Sequence, residues 1–392
     1  MNIAALSVAE ALSLLSAFCA LCFAGAFIGG VFTVIEAAFV LTFPGKRTKS
    51  SEPFVEPPIT IFKPLHAAEP GLETRLAAFC RQNYAAPVQV LCGAQEHAAA
   101  AEVVRGMQRD APEAPIELAV DSRNHGVNRK VSNLINMLPR ARYDTFVLSD
   151  SDIVVGPDYL RNIAALLATP GVGAVTCLYY GVGGTGLWTR LSALAINAQF
   201  LPQAIASIGL KLAKPCCGAT IGLRRAMLER IGGFAAFADV LADDYALGAA
   251  VRSDGYDVVA APFLVGHCCF DDSLRQHLLH QIRVARTIRS IDPIGHAGSV
   301  LTHPWPLALL AALSGGGAAA ALLAIAVLGA RVALCRCVER RFGLPRQDYW
   351  LIPVLDVVAF AAYAASFFGA KVHWQGFDYR LAANGTLIED NT

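Results

Sequence analysis

Charged residues are scarce in this chain. Asp, Glu, Lys and Arg make up 16% of its 392 residues, against roughly a quarter in ordinary soluble domains. Neither sign is in excess: 32 Lys and Arg stand against 31 Asp and Glu, a formal net charge of +1. No cationic surplus exists to attract nucleic-acid phosphates, so a nucleic-acid partner is excluded. The 11 Cys are scattered and form no pair of CxxC knuckles, which excludes a zinc ribbon or finger. Their odd number and lack of framework point to reduced thiols in a cytosol-facing unit. No serine-centred nucleophile elbow is present. The run Gly181-Val182-Gly183-Gly184-Thr185-Gly186 lacks the βαβ surroundings of a dinucleotide loop and reads as a plain loop.

Apolar residues are abundant at 55%, which excludes disorder. From Ala4 to Phe43 the only charges are Glu10 and Glu36. This stretch is too long for a signal-peptide core and long enough to cross a bilayer as a helix. Lys46, Arg47 and Lys49 follow and mark a cytoplasmic flank. The expectation is an external N-terminus, an anchor over 1–45 and a Pro-rich linker from Pro53 to Pro58. From Ile59 short β-rich runs alternate with helical stretches. Strands are expected at Ile59–Phe62, Val88–Leu91, Ile116–Val120, Thr145–Leu148 and Val172–Leu178, with helices at Leu72–Asn83, Ala98–Arg109 and Val127–Leu138. This βαβα rhythm predicts a mostly parallel sheet covered by helices, with ligands at the carboxyl ends of its strands. Leu187–Leu212 is apolar but carries Arg190, Asn197, Gln199, Gln203 and Lys211. It reads either as an amphipathic stretch in the membrane interface or as a core helix.

Pro306–Leu334 is apolar again, interrupted by Ser314-Gly315-Gly316-Gly317. It reads as one long helix or as a hairpin. Arg331, Arg336, Arg340, Arg341 and Arg346 belong on the cytoplasmic side and favour the hairpin. Leu351–Phe368 then reads as one more crossing, which puts the tail outside. The expected plan is anchor 1–45, an α/β unit over 46–300, membrane segments over 301–371 and a tail over 372–392.

Three groups carry candidate chemistry. Asp150 and Asp152 lie i, i+2 after an apolar strand, where both carboxylates can turn toward one cation. Hard oxygens suit Mg²⁺ or Mn²⁺, which in turn bind a diphosphate; a solvated turn is the plain alternative. Asp243-Asp244 offers a base for a hydroxyl nucleophile, or simply a helix N-cap. Arg283, Arg286 and Arg289 recur every three residues on one helical face, fit either for phosphate or for lipid headgroups. His277 and His280 are spaced i, i+3 but have no third ligand near, so a metal pair is not expected.

In order, the chain shows a membrane anchor, Lys63-Pro64-Leu65 after the first strand, Asn128-Arg129-Lys130 before a helix, Asp150-Ser151-Asp152, Gly232-Gly233-Phe234, Asp243-Asp244-Tyr245, a basic helix and terminal apolar spans. This order resembles the ceramide glucosyltransferase family of inverting glycosyltransferases with the GT-A fold, over about Ile59 to Arg289. Leu178-Tyr179-Tyr180, Leu187-Trp188-Thr189-Arg190-Leu191 and Val372-His373-Trp374-Gln375-Gly376 look similar to its bacterial hopanoid-associated branch. The resemblance implies a UDP-sugar donor, Mg²⁺ or Mn²⁺, and a lipid acceptor. N-acetylglucosamine would pass to a hopanoid such as bacteriohopanetetrol, or, alternatively, glucose to ceramide. It places the enzyme in the inner membrane, multi-pass, with its catalytic domain cytosolic. Position by position, it puts Glu96 on the uridine side where the family has Asp. Lys130, Asp150 and Arg283 fall on the donor, Asp150 and Asp152 on the metal, and Asp244 is the catalytic base. The family's terminal signature, Gln or Arg, two residues, then Arg-Trp, stands here as His280-Gln281-Ile282-Arg283-Val284, with Arg283 kept, His at the first position and Trp replaced by Val. A transporter needs more spans and intramembrane charges. A processive synthase would carry the Trp that Val284 replaces.

Overall fold

The structure is a computed structural model and describes residues 8–44, 55–214, 216–374, 376–382 and 385–389. The basic flank at Lys46, Arg47 and Lys49, the start of the linker at Pro53 and the tail's Gln375 lie outside the described residues.

Helix α1 (Val8–Thr42) is the apolar N-terminal stretch. The α/β unit then begins as its hydrophobic rhythm dictates: β1 (Ile59–Pro64), α2 (Leu72–Cys80), β2 (Val88–Ala94), α3 (Ala99–Asp110), β3 (Ile116–Val120), α4 (Arg129–Met137) and β4 (Thr145–Leu148). It continues through β5 (Ile153–Val154), α5 (Tyr159–Leu167), β6 (Val172–Val182), α6 (Leu187–Ala195), α7 (Leu201–Gly209), β7 (Ile221–Arg224), α8 (Arg225–Arg230), α9 (Asp243–Ser253) and β8 (Asp257–Cys268). The eight strands form one sheet in the order β3-β2-β1-β4-β7-β6-β8-β5. β3, β2, β1 and β4 run parallel, as do β6 and β8; β7 is antiparallel to both β4 and β6, and β5 to β8. The mostly parallel α/β expectation therefore holds.

The central strands are continuous apolar runs because both faces are covered. Side-chain alternation sends Ile59 and Ile61 to one face, with Leu76, Phe79, Val90 and Leu160, and Phe62 to the other, with Leu91, Leu134, Phe146 and Leu223. Each fully buried side chain of this size contributes roughly 1.5–3 kcal/mol. The sheet brings the carboxyl ends of β1, β4, β6 and β8 to one edge, beside the segment that leads into β7.

Next come α10 (Leu274–Ile291), α11 (Pro293–Gly298), α12 (Pro304–Leu313), α13 (Gly317–Phe342) and α14 (Ile352–Ser366), then β9 (Lys371–Trp374), β10 (Phe377–Leu381) and β11 (Leu387–Glu389). α12 and α13 form the hairpin that the Arg-rich loop favours. Gly315 at φ +103° makes the turn and Gly316 N donates to Ala311 O at 3.0 Å. Ala311 packs on Ala320, and Ala308 on Ala324, with Cys22 and Ala26 of α1 against them. Among the described residues four helical stretches are long and apolar enough to cross a membrane: Val8–Thr42, Leu187–Gly209, Gly317–Phe342 and Tyr349–Ser366.

Leu351–Phe368, for which the sequence expects a crossing, makes its contacts as follows. α14 begins against Leu191 and Leu194 of α6 and ends with Ser366 bonded to His296 at 2.8 Å. The three-stranded sheet β9–β11 then packs Val372, Tyr379 and Leu387 on Leu241 of the α/β unit. Leu241 N donates to Gly385 O at 3.2 Å, and Leu387 N to Asp239 O at 2.7 Å. The start of α14 and the small sheet that follows it thus both contact the α/β unit. Hydropathy alone cannot separate a crossing helix from an equally apolar one laid across the base of a helical hairpin.

Candidate functional site

The turn after β4 is held from behind. Lys63, at the end of β1, is fully buried over the Phe79 ring; its Nζ donates to Ser149 Oγ at 3.3 Å and to the Asp150 carbonyl. Burial pulls this ammonium down to about 8, with Asp152 and Asp150 opposing the shift. Arg75 Nε donates to Ser151 O at 2.8 Å while its Nη2 pairs with Glu69 at 3.0 Å, and Ser151 Oγ donates to Glu69 at 3.1 Å. Two cations thus occupy the turn's carbonyls, and the carboxylates of Asp150 and Asp152 take other partners. A solvated turn does not describe this segment.

Asp150 Oδ1 pairs with Lys130 Nζ at 2.8 Å, and the same ammonium lies 3.6 Å from Asp243 Oδ2. Lys130 stands in the first turn of α4, whose N-cap Asn128 accepts from Val131 N at 3.1 Å and donates to Val240 O at 2.7 Å. That second bond ties α4 to the segment leading into α9. Asp243 and Asp244 are the first two residues of α9, at the positive end of its dipole; the N-cap position belongs to Ala242, so neither aspartate is the cap. Asp244 accepts from Gly218 N at 2.7 Å and from Tyr245 N at 2.8 Å. A Cβ on Gly218 would lie 3.1 Å from Lys130 Nζ, 3.2 Å from Asp244 Oδ2 and 3.4 Å from Asp150 Oδ2. The groups singled out at 130, 150 and 244 therefore converge on one small space that glycine leaves open.

The electrostatics follow from this crowding. Burial raises Asp243 to about 6, with Lys130 opposing and Asp244 adding to the rise. Burial likewise raises Asp244, with Lys130 and its two backbone donors opposing. Burial disfavours the Lys130 ammonium, but Asp150, Asp243 and Asp244 outweigh it and hold the group above the usual lysine range.

Asp152 faces β8, where its Oδ2 lies 3.2 Å from His267 Nε2. Its Oδ1 is buried with no hydrogen-bond partner. An orphaned carboxylate oxygen two residues from a second carboxylate suits a hard divalent cation. No three His, Cys, Asp or Glu among the described residues are grouped to hold an ion by themselves. The donor set thus fits an ion of the Mg²⁺ or Mn²⁺ kind, which takes one or two carboxylates and completes its shell with phosphate and water.

Arg283 is half-buried in α10 among Tyr179, Asp271 and Asp244, and burial lowers its pKa. Its helix is pinned one turn earlier by Asp271. That carboxylate accepts from Ser192 Oγ at 2.7 Å and lies 3.5 and 3.6 Å from His277 and His280. His277 and His280 thus belong to a polar cluster around Asp271. Val284 is exposed. Glu96 stands apart, exposed beyond the carboxyl end of β2, with its backbone N–H on Ser122 Oγ at 2.9 Å. Residue-by-residue reading does not single out Gly218 or His267. His267 ends β8, an element that the alternation pattern does not reveal, and the openness at Gly218 exists only once α4, β4 and α9 meet.

The profile described as glycosyl transferase family 21 matches residues 21–387. Ceramide glucosyltransferase 1 of Caenorhabditis elegans is 24% identical over 201 residues, 51% of this chain and 43% of that protein. Ceramide glucosyltransferase 3 of the same organism is 22% identical over 202 residues, 51% and 44% of the two chains. The chain thus matches less than half the length of these curated relatives. Among solved structures, the Pyrobaculum calidifontis mannosyltransferase PcManGT, in complex with GDP-Man and Mn²⁺, superposes with a TM-score of 0.55 at 22% identity, covering 90% of this chain and 99% of the other. That likeness shows a GT-A-type fold. With nearly its whole length matched by the family profile, the chain belongs to glycosyl transferase family 21.

Proposed function

We propose that this enzyme is a membrane-bound inverting transferase that moves a hexosyl group from a UDP-sugar to the hydroxyl of a membrane lipid. The observation that carries the reading is the convergence of Asp150, Asp244 and Lys130 on the space at Gly218, at the strand ends where nucleotides bind in such sheets. The donor's diphosphate would lie against Asp150, Asp152 and Lys130, with Glu96 toward the uridine. A divalent ion held by Asp150 and Asp152, when bound with the donor, supplies positive charge to the departing UDP. Lys130 and Arg283 add fixed positive charge on the protein side. Asp244, held by two backbone N–H groups and raised by burial, is suited to take the acceptor hydroxyl's proton. One displacement from the face opposite UDP then gives a β-glycoside.

The acceptor assigned first is a hopanoid such as bacteriohopanetetrol, with N-acetylglucosamine as the sugar. The similarity of Leu178–Tyr180, 187–191 and 372–376 to the hopanoid-associated branch supports it. Glucose transfer to ceramide is the second reading, favoured by the names of the two curated relatives. Either lipid stays in the bilayer while the donor is cytosolic, which explains apolar helices beside the site. The site then belongs at the cytoplasmic face of the inner membrane, with α1 and the α12–α13 hairpin in the bilayer and α6, α7 and α14 along its surface. Mass spectrometry of lipids from cells with and without this protein tests the assignment. Loss of a hexosamine-bearing hopanoid supports the first reading, loss of a hexosylceramide the second, and an unchanged lipid profile rejects both.

A further inference from the structure

An ionic cluster lies away from the site, among the apolar helices. Arg331 of α13 and Asp356 of α14 form a two-pronged pair, Nε to Oδ2 at 3.0 Å and Nη2 to Oδ1 at 2.8 Å, each side chain 2% exposed. Glu36 of α1 is equally buried beside them. A buried pair of this kind stabilises no more than well-packed apolar side chains would, so stability alone does not account for it. Its remaining hydrogen bonds all reach one place. Arg331 Nη1 donates to Ala198 O at 2.7 Å, and Gln199 Nε2 donates to Asp356 Oδ1 at 3.0 Å.

Ala198 and Gln199 belong to the π-helical turn Ile196–Phe200 between α6 and α7. Such turns insert a residue into a helix, re-aim its side chains and persist only when held. On its other side this turn faces the sheet. The Asn197 side chain accepts from Gly181 N at 2.9 Å and donates to Gly181 O at 3.0 Å on β6. Phe200 stacks on Tyr179 of the same strand, 4.5 Å between centroids and 22° between planes. Tyr179 stacks in turn on His267, 5.2 Å and 29°. His267 Nε2 lies 3.2 Å from Asp152 Oδ2, the carboxylate whose other oxygen is orphaned.

We infer that the Arg331–Asp356 pair is a positioning element of the donor site: it holds the π turn in register, and the turn aims Asp152 through Phe200, Tyr179 and His267. The inference rests on the reading of Asp150 and Asp152 as the donor-diphosphate site. It gives helices outside the α/β unit a direct hold on that site, so a change in how they pack would reach the donor.

The test uses the full-length protein in detergent, with calorimetry of UDP in the presence of Mn²⁺ and the apparent melting temperature as two independent readouts. Arg331→Met should weaken UDP binding about 10-fold and lower the melting temperature. The triple variant Glu36→Gln, Arg331→Met, Asp356→Leu removes every charge of the cluster together and should recover most of the melting temperature. UDP affinity should stay low in it, because the bonds to Ala198 and Gln199 are gone. Phe200→Leu should weaken UDP binding with the ion pair intact, and adding Arg331→Met to it should weaken binding no further. A triple variant that binds UDP like the native protein, or Phe200 and Arg331 effects that multiply, would overturn the inference while leaving the donor-site reading intact. A native protein that does not bind UDP with Mn²⁺ would overturn both.

Discussion

Replacing Lys130 by methionine probes the charge balance of the site. Its ammonium lies 2.8 Å from Asp150 and 3.6 Å from Asp243. Methionine keeps much of the stem but leaves Asp150, Asp243 and Asp244 facing one another. The pair is half-buried, with Lys130 15% and Asp150 35% exposed, so removing the ammonium costs on the order of 3 kcal/mol, the low end of the range for a fully buried pair. The cost depends on pH, because a crowded carboxylate can take up a proton instead. In the native protein Asp243 is raised from 3.8 to about 6. Its contribution is therefore favourable below the lower value and is lost as pH rises through the upper one. Without the ammonium that window extends upward, and each pH unit inside it removes up to about 1.4 kcal/mol. At about pH 8 the whole loss is expressed, which at about 2–4 °C per kcal/mol lowers the apparent melting temperature on the order of 10 °C. At about pH 5 Asp243 is protonated and the drop should shrink to roughly 2–3 °C. Differential scanning fluorimetry of the detergent-purified protein at the two pH values reads this directly. An equal drop at both, or none at the higher pH, would refute the account of Lys130 as the counter-ion of the cluster.

Two further outcomes follow from the same geometry. Gly218→Ala places a methyl 3.1–3.4 Å from Lys130, Asp244 and Asp150. It should lower kcat by about 10²-fold, while the melting temperature moves by no more than about 2–4 °C; steady-state kinetics and fluorimetry on one preparation check both. Asp243 and Asp244 titrate as a pair, so kcat/KM should rise with pH through about 6. Asp243→Asn relieves the like-charge crowding and should move that acidic limb to lower pH in a pH–rate profile; an unmoved limb contradicts the coupling.

Much of the α/β unit is legible in the sequence because its first four strands are short apolar runs separated by helical periodicity, and the structure keeps them at Ile59, Val88, Ile116 and Thr145. β8 is not legible. Its Asp257–Cys268 run does not alternate, and Pro262 sits in the middle of its apolar stretch, where a proline argues against a central strand. His267, the partner of Asp152, is hidden for the same reason. β7 follows the turn that carries Gly218, and nothing local signals that this glycine borders Lys130, Asp150 and Asp244, which come from α4, β4 and α9. The end of the chain is legible only in part. Leu351–Phe368 has the hydropathy of a crossing, but its position is set by long-range contacts with α6, α10 and α12 and by the small sheet that follows it.

The central claim is that Asp244 takes the proton from a lipid hydroxyl while Asp150, Asp152 and Lys130 hold the donor. Asp244→Asn separates these roles. Transfer of labelled sugar from UDP-sugar to lipid should fall by about 10²–10⁴-fold, while UDP affinity measured by calorimetry on the same preparation stays within about 3-fold of the native protein. Retained turnover in Asp244→Asn would remove this residue as the base and contradict the account.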